Sequence, residues 1–167
     1  LTAQVIRLSY ARELLNTQGL YALSRYLDKL TVQSESPRAS NALKEIVGDA
    51  RFAVLTDTVR SLLDRGVKHP KLTELLRILD EQVRKDSNSR ILVFAQYRDT
   101  VRQIVDELRK QGISAVPFIG QRSGKGFAGM TQEKQVSTLR NFRDGLYSIL
   151  VATSVAEEGL DIAECDV

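Results

Sequence analysis

Along residues 1–66 apolar side chains recur every three or four positions, and no stretch alternates in the two-residue rhythm of a strand. Val5, Leu8, Ala11 and Leu15 form one such series, and Leu20, Leu23, Leu27 and Leu30 continue it after Gly19. Ser34 to Ser40, with Pro37 inside, reads as a loop. Asn41 is placed to cap the next helix, whose apolar face is Leu43, Ile46, Val47, Ala50 and Val54. That pattern runs on through Leu62 to a stop at Gly66. The spacing predicts antiparallel helices that pack on one another or on a partner.

From Pro70 the rhythm changes. Pro70 to Lys85 reads as a helix with Leu72, Leu75, Leu76 and Leu79 inward. Arg90 to Ala95 is a short apolar strand, and Asp99 to Gln111 a helix burying Val101, Ile104, Val105 and Leu108 before Gly112 ends it. Ile113 to Ile119 is a second strand, Thr131 to Phe142 a helix, and Ile149 to Ala152 a third strand. Strands separated by helices of this length imply right-handed crossovers and a mainly parallel sheet. The fold class is α/β, preceded by an all-α part, with domains expected at residues 1–68 and 69–167. The chain stops at Asp166-Val167 as another strand begins, so the sheet is expected to be short of strands and the chain a piece of a longer protein.

Composition narrows the picture only slightly. A chain of 167 residues with 43% hydrophobic and 27% charged residues has the make-up of a soluble globular protein. No apolar run reaches the ~18 residues of a membrane span, and no signal peptide opens the chain. One cysteine, Cys165, excludes an internal disulfide and a cysteine-rich metal site, and fits an intracellular setting, cytoplasm, nucleoid or nucleus. The lone His69, before Pro70, reads as a turn residue rather than a metal ligand. Residues 1–70 carry ten Lys/Arg against seven Asp/Glu, whereas the remainder is balanced. The whole net charge of +3 thus lies in the helical part. A basic bias favours polyanions, though a merely solvated helical surface has the same make-up.

Candidate chemistry gathers where strands end. Gly120-Gln-Arg-Ser-Gly124-Lys125-Gly126 follows a strand, but three residues rather than four separate its outer glycine from Gly124-Lys125, and Gly126 stands where Ser or Thr would hold magnesium. It is not a phosphate loop, and no acidic Asp-Glu-Ala-His or Asp-Glu-Ala-Asp box is present, so the chain alone is expected not to hydrolyse ATP. The segment Gly120 to Met130 reads as mobile: either a solvated loop or a basic arm whose backbone approaches phosphates. Gln96 and Arg98 follow the first strand and are placed to bind a backbone phosphate, with Asp99 as a helix cap. Thr131 caps the helix after the glycine-rich stretch, and helix starts attract anions. Thr153 and Ser154 end the strand Ile149-Leu-Val-Ala-Thr-Ser, at the edge where open α/β sheets bind ligands. The Gly159-Leu-Asp161 step then offers a tight turn and a carboxylate.

These residues together resemble the Hef and Fanconi-anaemia M-type branch of superfamily 2 helicases. Ser89-Arg-Ile-Leu-Val-Phe-Ala-Gln-Tyr-Arg-Asp after His69-Pro-Lys-Leu resembles the family's entry into motif IV. Phe118-Ile-Gly-Gln121 followed by Gly129-Met-Thr-Gln-x-x-Gln135 is its most specific part, and Val151-Ala-Thr-Ser-Val-Ala-Glu-Glu-Gly-Leu-Asp161 is similar to motif V. The resemblance implies a helical insertion domain followed by most of a second RecA-like domain, cut before motif VI. It also implies that Gln96, Arg98, Gly120, Gln121, Thr131, Gln132, Thr153 and Ser154 line a nucleic-acid groove. Glu157, Gly159 and Asp161 would face the interdomain cleft, with Glu158 beside Glu157 in the turn. The full-length protein would use ATP and Mg, neither bound by this part alone. Its partners would be forked or branched DNA and a first RecA-like domain of the same protein, with no membrane.

Two rivals carry different expectations. The RNA-directed branch of the superfamily, including RNA sensors and Dicer-type motors, shares motif V. A non-catalytic nucleic-acid-binding module, or a protein-interaction domain with a solvated basic face, would use the same scaffold. A Gln-Arg-x-Gly-Arg segment soon after Val167 would mark a motor; failure to bind any nucleic acid would mark the interaction domain.

Overall fold

The computed structural model describes residues 2–121 and 129–153. The chain divides into two compact units, Leu1–Pro70 and Lys71–Val167.

The first unit is helical: α1 (Thr2–Gln18), α2 (Leu20–Ser34), α3 (Asn41–Gly48) and α4 (Ala50–Asp64). Gly19 lets α1 turn directly into α2. Its φ of +87° is open to glycine alone without strain, and a Cβ there would lie 2.8 Å from the His69 Cβ. The unit's core joins Ala11, Leu23, Leu27 and Val59, with Tyr26, Phe52 and Leu63 packed against it. Tyr26 meets Tyr10 edge-on at 5.0 Å, and burial pushes its hydroxyl pKa up, partly opposed by Arg7. It serves packing.

Three expectations for this unit need correction. In α1 the buried positions are Ala11 and Leu14, whereas Val5, Leu8 and Leu15 are exposed. Apolar residues occupy two faces of that helix, and the face with Val5, Leu8 and Leu15 is left exposed. The predicted continuous helix from Asn41 to Gly66 is instead two helices, because Asp49 is extended (φ −74°, ψ 131°). Its carboxylate accepts from the Arg51 amide at 2.8 Å, a local bond that competes with helix continuation. The break resets the buried face to Phe52, Val59 and Leu63, and leaves Ala50 and Val54 outside. The cap of α3 is Ser40, whose Oγ accepts from the Leu43 amide at 3.3 Å, and not Asn41. The predicted stop at Gly66 is present, with the Val67 amide donating to Leu62 O and the Gly66 amide to Leu63 O.

The second unit runs α5 (Pro70–Lys85), β1 (Ile91–Ala95), α6 (Arg98–Lys110), β2 (Ala115–Phe118), α7 (Gln132–Arg143) and β3 (Ile149–Thr153). The strands form one parallel sheet in the order β1-β3-β2. The architecture is that of a RecA-like sheet, incomplete among the described residues, after a helical bundle. All five β3 residues are buried, as an apolar strand covered on both faces requires. Helix α6 lays Val101, Ile104, Val105 and Leu108 into the core, each 3% exposed or less, beside Leu72, Leu76 and Leu79 of α5.

The register decides where the strands end together. Ala95 pairs with Thr153, and Phe118 with Ala152. The carboxyl ends of all three strands therefore open onto one edge, the position from which this architecture binds ligands.

Candidate nucleic-acid interface

The strand-end edge is built from three exits. After β1 come Gln96, which is exposed, and Arg98, the first residue of α6. After β2 come Ile119, Gly120 and Gln121. Central β3 contributes Thr153, only 4% exposed.

Arg98 connects two of these exits. Its Nη2 donates to the Gly120 carbonyl at 3.0 Å, joining the ends of the strands that flank β3. The same carbonyl accepts from the Met130 amide at 3.3 Å, which sets Met130 beside Gly120. Arg98, expected as a phosphate contact, thus spends one donor of its fork on the protein. Gly120 has no positive φ, and a Cβ there would touch Arg98 Nη2 at 3.4 Å, an ordinary contact. Asp99, expected as the cap of α6, lies inside its first turn, and the cap is Tyr97 without a side-chain bond. The Asp99 carboxylate faces Arg102 at 4.0 Å instead.

Thr131 caps α7 as its residue type predicts: Oγ1 accepts from the Lys134 amide at 3.3 Å. Thr131 and Gln132 are both exposed at this helix start. The helix dipole and the first-turn amides favour an anion there. Gln121, also exposed, donates through Nε2 to Gln135 Oε1 at 3.0 Å, and Gln135 Nε2 donates to the Ile119 carbonyl at 2.9 Å. Gln135 carries no separate signal in the sequence; its place in Gly129-Met-Thr-Gln-x-x-Gln135 was the one clue available.

The edge therefore collects Gln96, Arg98, Gly120, Gln121, Thr131, Gln132 and Thr153 as donors, hydroxyls and a helix start, with Asp99 and Glu133 in the first turns of α6 and α7. Ser154, Glu157, Gly159 and Asp161 lie outside the described residues, as does most of the glycine-rich segment expected to be mobile. Among the described residues, no three His, Cys, Asp or Glu side chains come together as a metal site. No described helix is long and apolar enough to cross a membrane.

The model of the helicase conserved C-terminal domain matches residues 70–167, more than half of the chain. The crystal structure of the Pyrococcus furiosus Hef helicase domain superposes with a TM-score of 0.72 at 41% identity, over 98% of this chain and 33% of that one. The chain belongs to the Hef and Fanconi-anaemia M branch of the helicases. Residues 1–69 of this helicase chain match a second model, the helical bundle of ATP-dependent RNA helicases. The ATP-dependent DNA helicase MPH1 of Pyricularia oryzae is 35% identical over 95% of the chain. The DEAD-box ATP-dependent RNA helicase FANCM of Arabidopsis thaliana is 34% identical over 98% of it. The chain spans 15% and 12% of the lengths of these two curated relatives.

Proposed function

We propose that the chain is the helical insertion domain (residues 1–68) and most of the second RecA-like domain (residues 69–167) of an ATP-dependent DNA helicase or translocase. Its substrate is forked or branched DNA undergoing repair. The observation that carries this reading is the strand-end edge, where a capped helix start, Gln121 and Thr153 stand at one side of a parallel sheet, in a chain 41% identical to a Hef helicase domain. Thr153, Ser154, Gln96 and Arg98 take the phosphates of the strand along which the motor moves. Gly120, Gln121, Thr131 and Gln132 line the same groove, while Glu157, Gly159 and Asp161 face the nucleotide held by a first RecA-like domain. The helical unit, with its excess of Lys and Arg, grips the duplex near the branch.

ATP and magnesium belong to the assembled motor. The Gly120–Gly126 spacing does not suit a phosphate loop. On this reading the part alone binds nucleic acid and leaves ATP hydrolysis to the assembled motor. Phosphoryl transfer needs both motor domains closed around the nucleotide.

A second reading, an RNA-directed motor, draws on the RNA helicase names carried by the helical-bundle model and the Arabidopsis relative. Fluorescence anisotropy with forked DNA, linear duplex DNA and duplex RNA, at two salt concentrations, separates the readings. A version starting at Lys71 is measured alongside. The fork reading expects tightest binding to forked DNA, weakened by salt and by removal of residues 1–70. Preference for duplex RNA selects the second reading, and binding to none of the three rejects both.

A further inference from the structure

Gln135 lies in the second turn of α7, half-buried, between the exit of β2 and the exposed Gln121. Its two hydrogen bonds fix a direction. The Ile119 carbonyl can only accept, so the Gln135 amide nitrogen must face it, at 2.9 Å. The Gln135 oxygen is then turned toward Gln121, and it too can only accept. Gln121 must present an N–H, which it does at 3.0 Å. What Gln121 keeps for a ligand is its own oxygen and its second N–H, in one fixed orientation.

We infer that Gln135 is a positioning residue, which sets the Gln121 amide for a nucleic-acid backbone without meeting that backbone itself. This rests on reading the strand-end edge as a nucleic-acid interface. The physical gain is preorganisation. An untethered, exposed glutamine loses rotamer freedom when it engages a ligand, whereas one already held by a partner has lost it beforehand. The same side chain ties α7 to the exit of β2, since its Nε2 donates to the Ile119 carbonyl.

The test is a double-mutant cycle on the whole chain, read as anisotropy of labelled forked DNA with unpaired arms. Gln135→Met keeps the length of the side chain and removes both hydrogen bonds. Gln135→Glu keeps an acceptor for Gln121 but has no donor for Ile119 O, and serves as the second variant should the first fold poorly. Melting midpoints check folding in each. Gln121→Ala and Gln135→Met are each expected to weaken binding about fivefold, the size of one lost hydrogen bond. The double variant is expected to bind no worse than Gln121→Ala, because Gln135 has nothing left to position. Full additivity, or a Gln135→Met variant that binds like the parent while Gln121→Ala does not, overturns the inference and leaves the interface standing. A Gln121→Ala variant with unchanged affinity removes the interface reading itself, and the inference with it.

Discussion

Asp49 does two things at one position: it ends α3 and caps α4. Its carboxyl pKa is held down to about 2, first by the Arg51 side chain, whose Nε and Nη2 donate at 2.9 and 2.6 Å, and then by the Arg51 amide. The folded value lies below the ordinary carboxylate value of ~3.9. The contribution to stability is therefore complete above about pH 4 and lost as pH falls through about 2. The pair is exposed, so its share is small and screened by salt. Asp49→Ala should lower the melting midpoint of the helical unit at pH 7, and Asp49→Asn, itself a good cap, should restore most of the loss. The alanine variant should also lose less than the parent between pH 4 and pH 2. Thr131 gives a parallel case in the second unit. Thr131→Ala should cost about 1 kcal/mol in urea unfolding, whereas Thr131→Ser should cost a few tenths at most. If Thr131→Ala weakens forked-DNA binding and Thr131→Ser does not, the helix start belongs to the interface.

Helix α6 shows why some elements are legible and others are not. Val101, Ile104, Val105 and Leu108 fall on one face of an otherwise charged helix, so a single face could be buried and it was. Leu108→Ala should cost about 3 kcal/mol by urea unfolding, since the side chain is fully buried in the core of the second unit. A loss under about 1 kcal/mol would mean that the helix end is looser than its burial implies. Helix α5 and strand β3 were readable on the same grounds, the first from its leucine spacing, the second from its unbroken apolar run. Helix α1 was not, because Val5, Leu8 and Leu15 compose a plausible stripe on the uncovered side. The α3–α4 break was missed because Asp49 sits inside a pattern that stays helical in period, and only its bond to Arg51 shows the chain leaving the helix. At the strand-end edge, the Thr131 cap is local and could be read directly. The Arg98–Gly120 bond joins positions 22 apart and the Gln135–Ile119 bond positions 16 apart. Those contacts exist because the order is β1-β3-β2, and periodicity alone does not supply an order.

Among the described residues two hydrophobic cores have no residue in common, one around Leu23, Leu27 and Val59, the other around Leu108, Leu150 and Phe142. Cooperative unfolding follows shared burial, so separate cores imply separate cooperative units. Differential scanning calorimetry of the whole chain should accordingly resolve two transitions. Leu27→Ala, at a site 2% exposed, should move one of them, and Leu150→Ala, fully buried in β3, should move the other. Each substitution removes about 2–5 kcal/mol from its own unit. A single transition shifted by both variants would show that the units unfold together, and the helical part could then not move as an independent grip. Two transitions would support the proposed division of labour, in which a helical unit holds branched duplex while the sheet edge follows a strand. Adding forked DNA extends the test, because a ligand raises the midpoint of the units it contacts by mass action. A fork that raises both transitions engages both units. One that raises only the sheet's transition confines recognition to the strand-end edge.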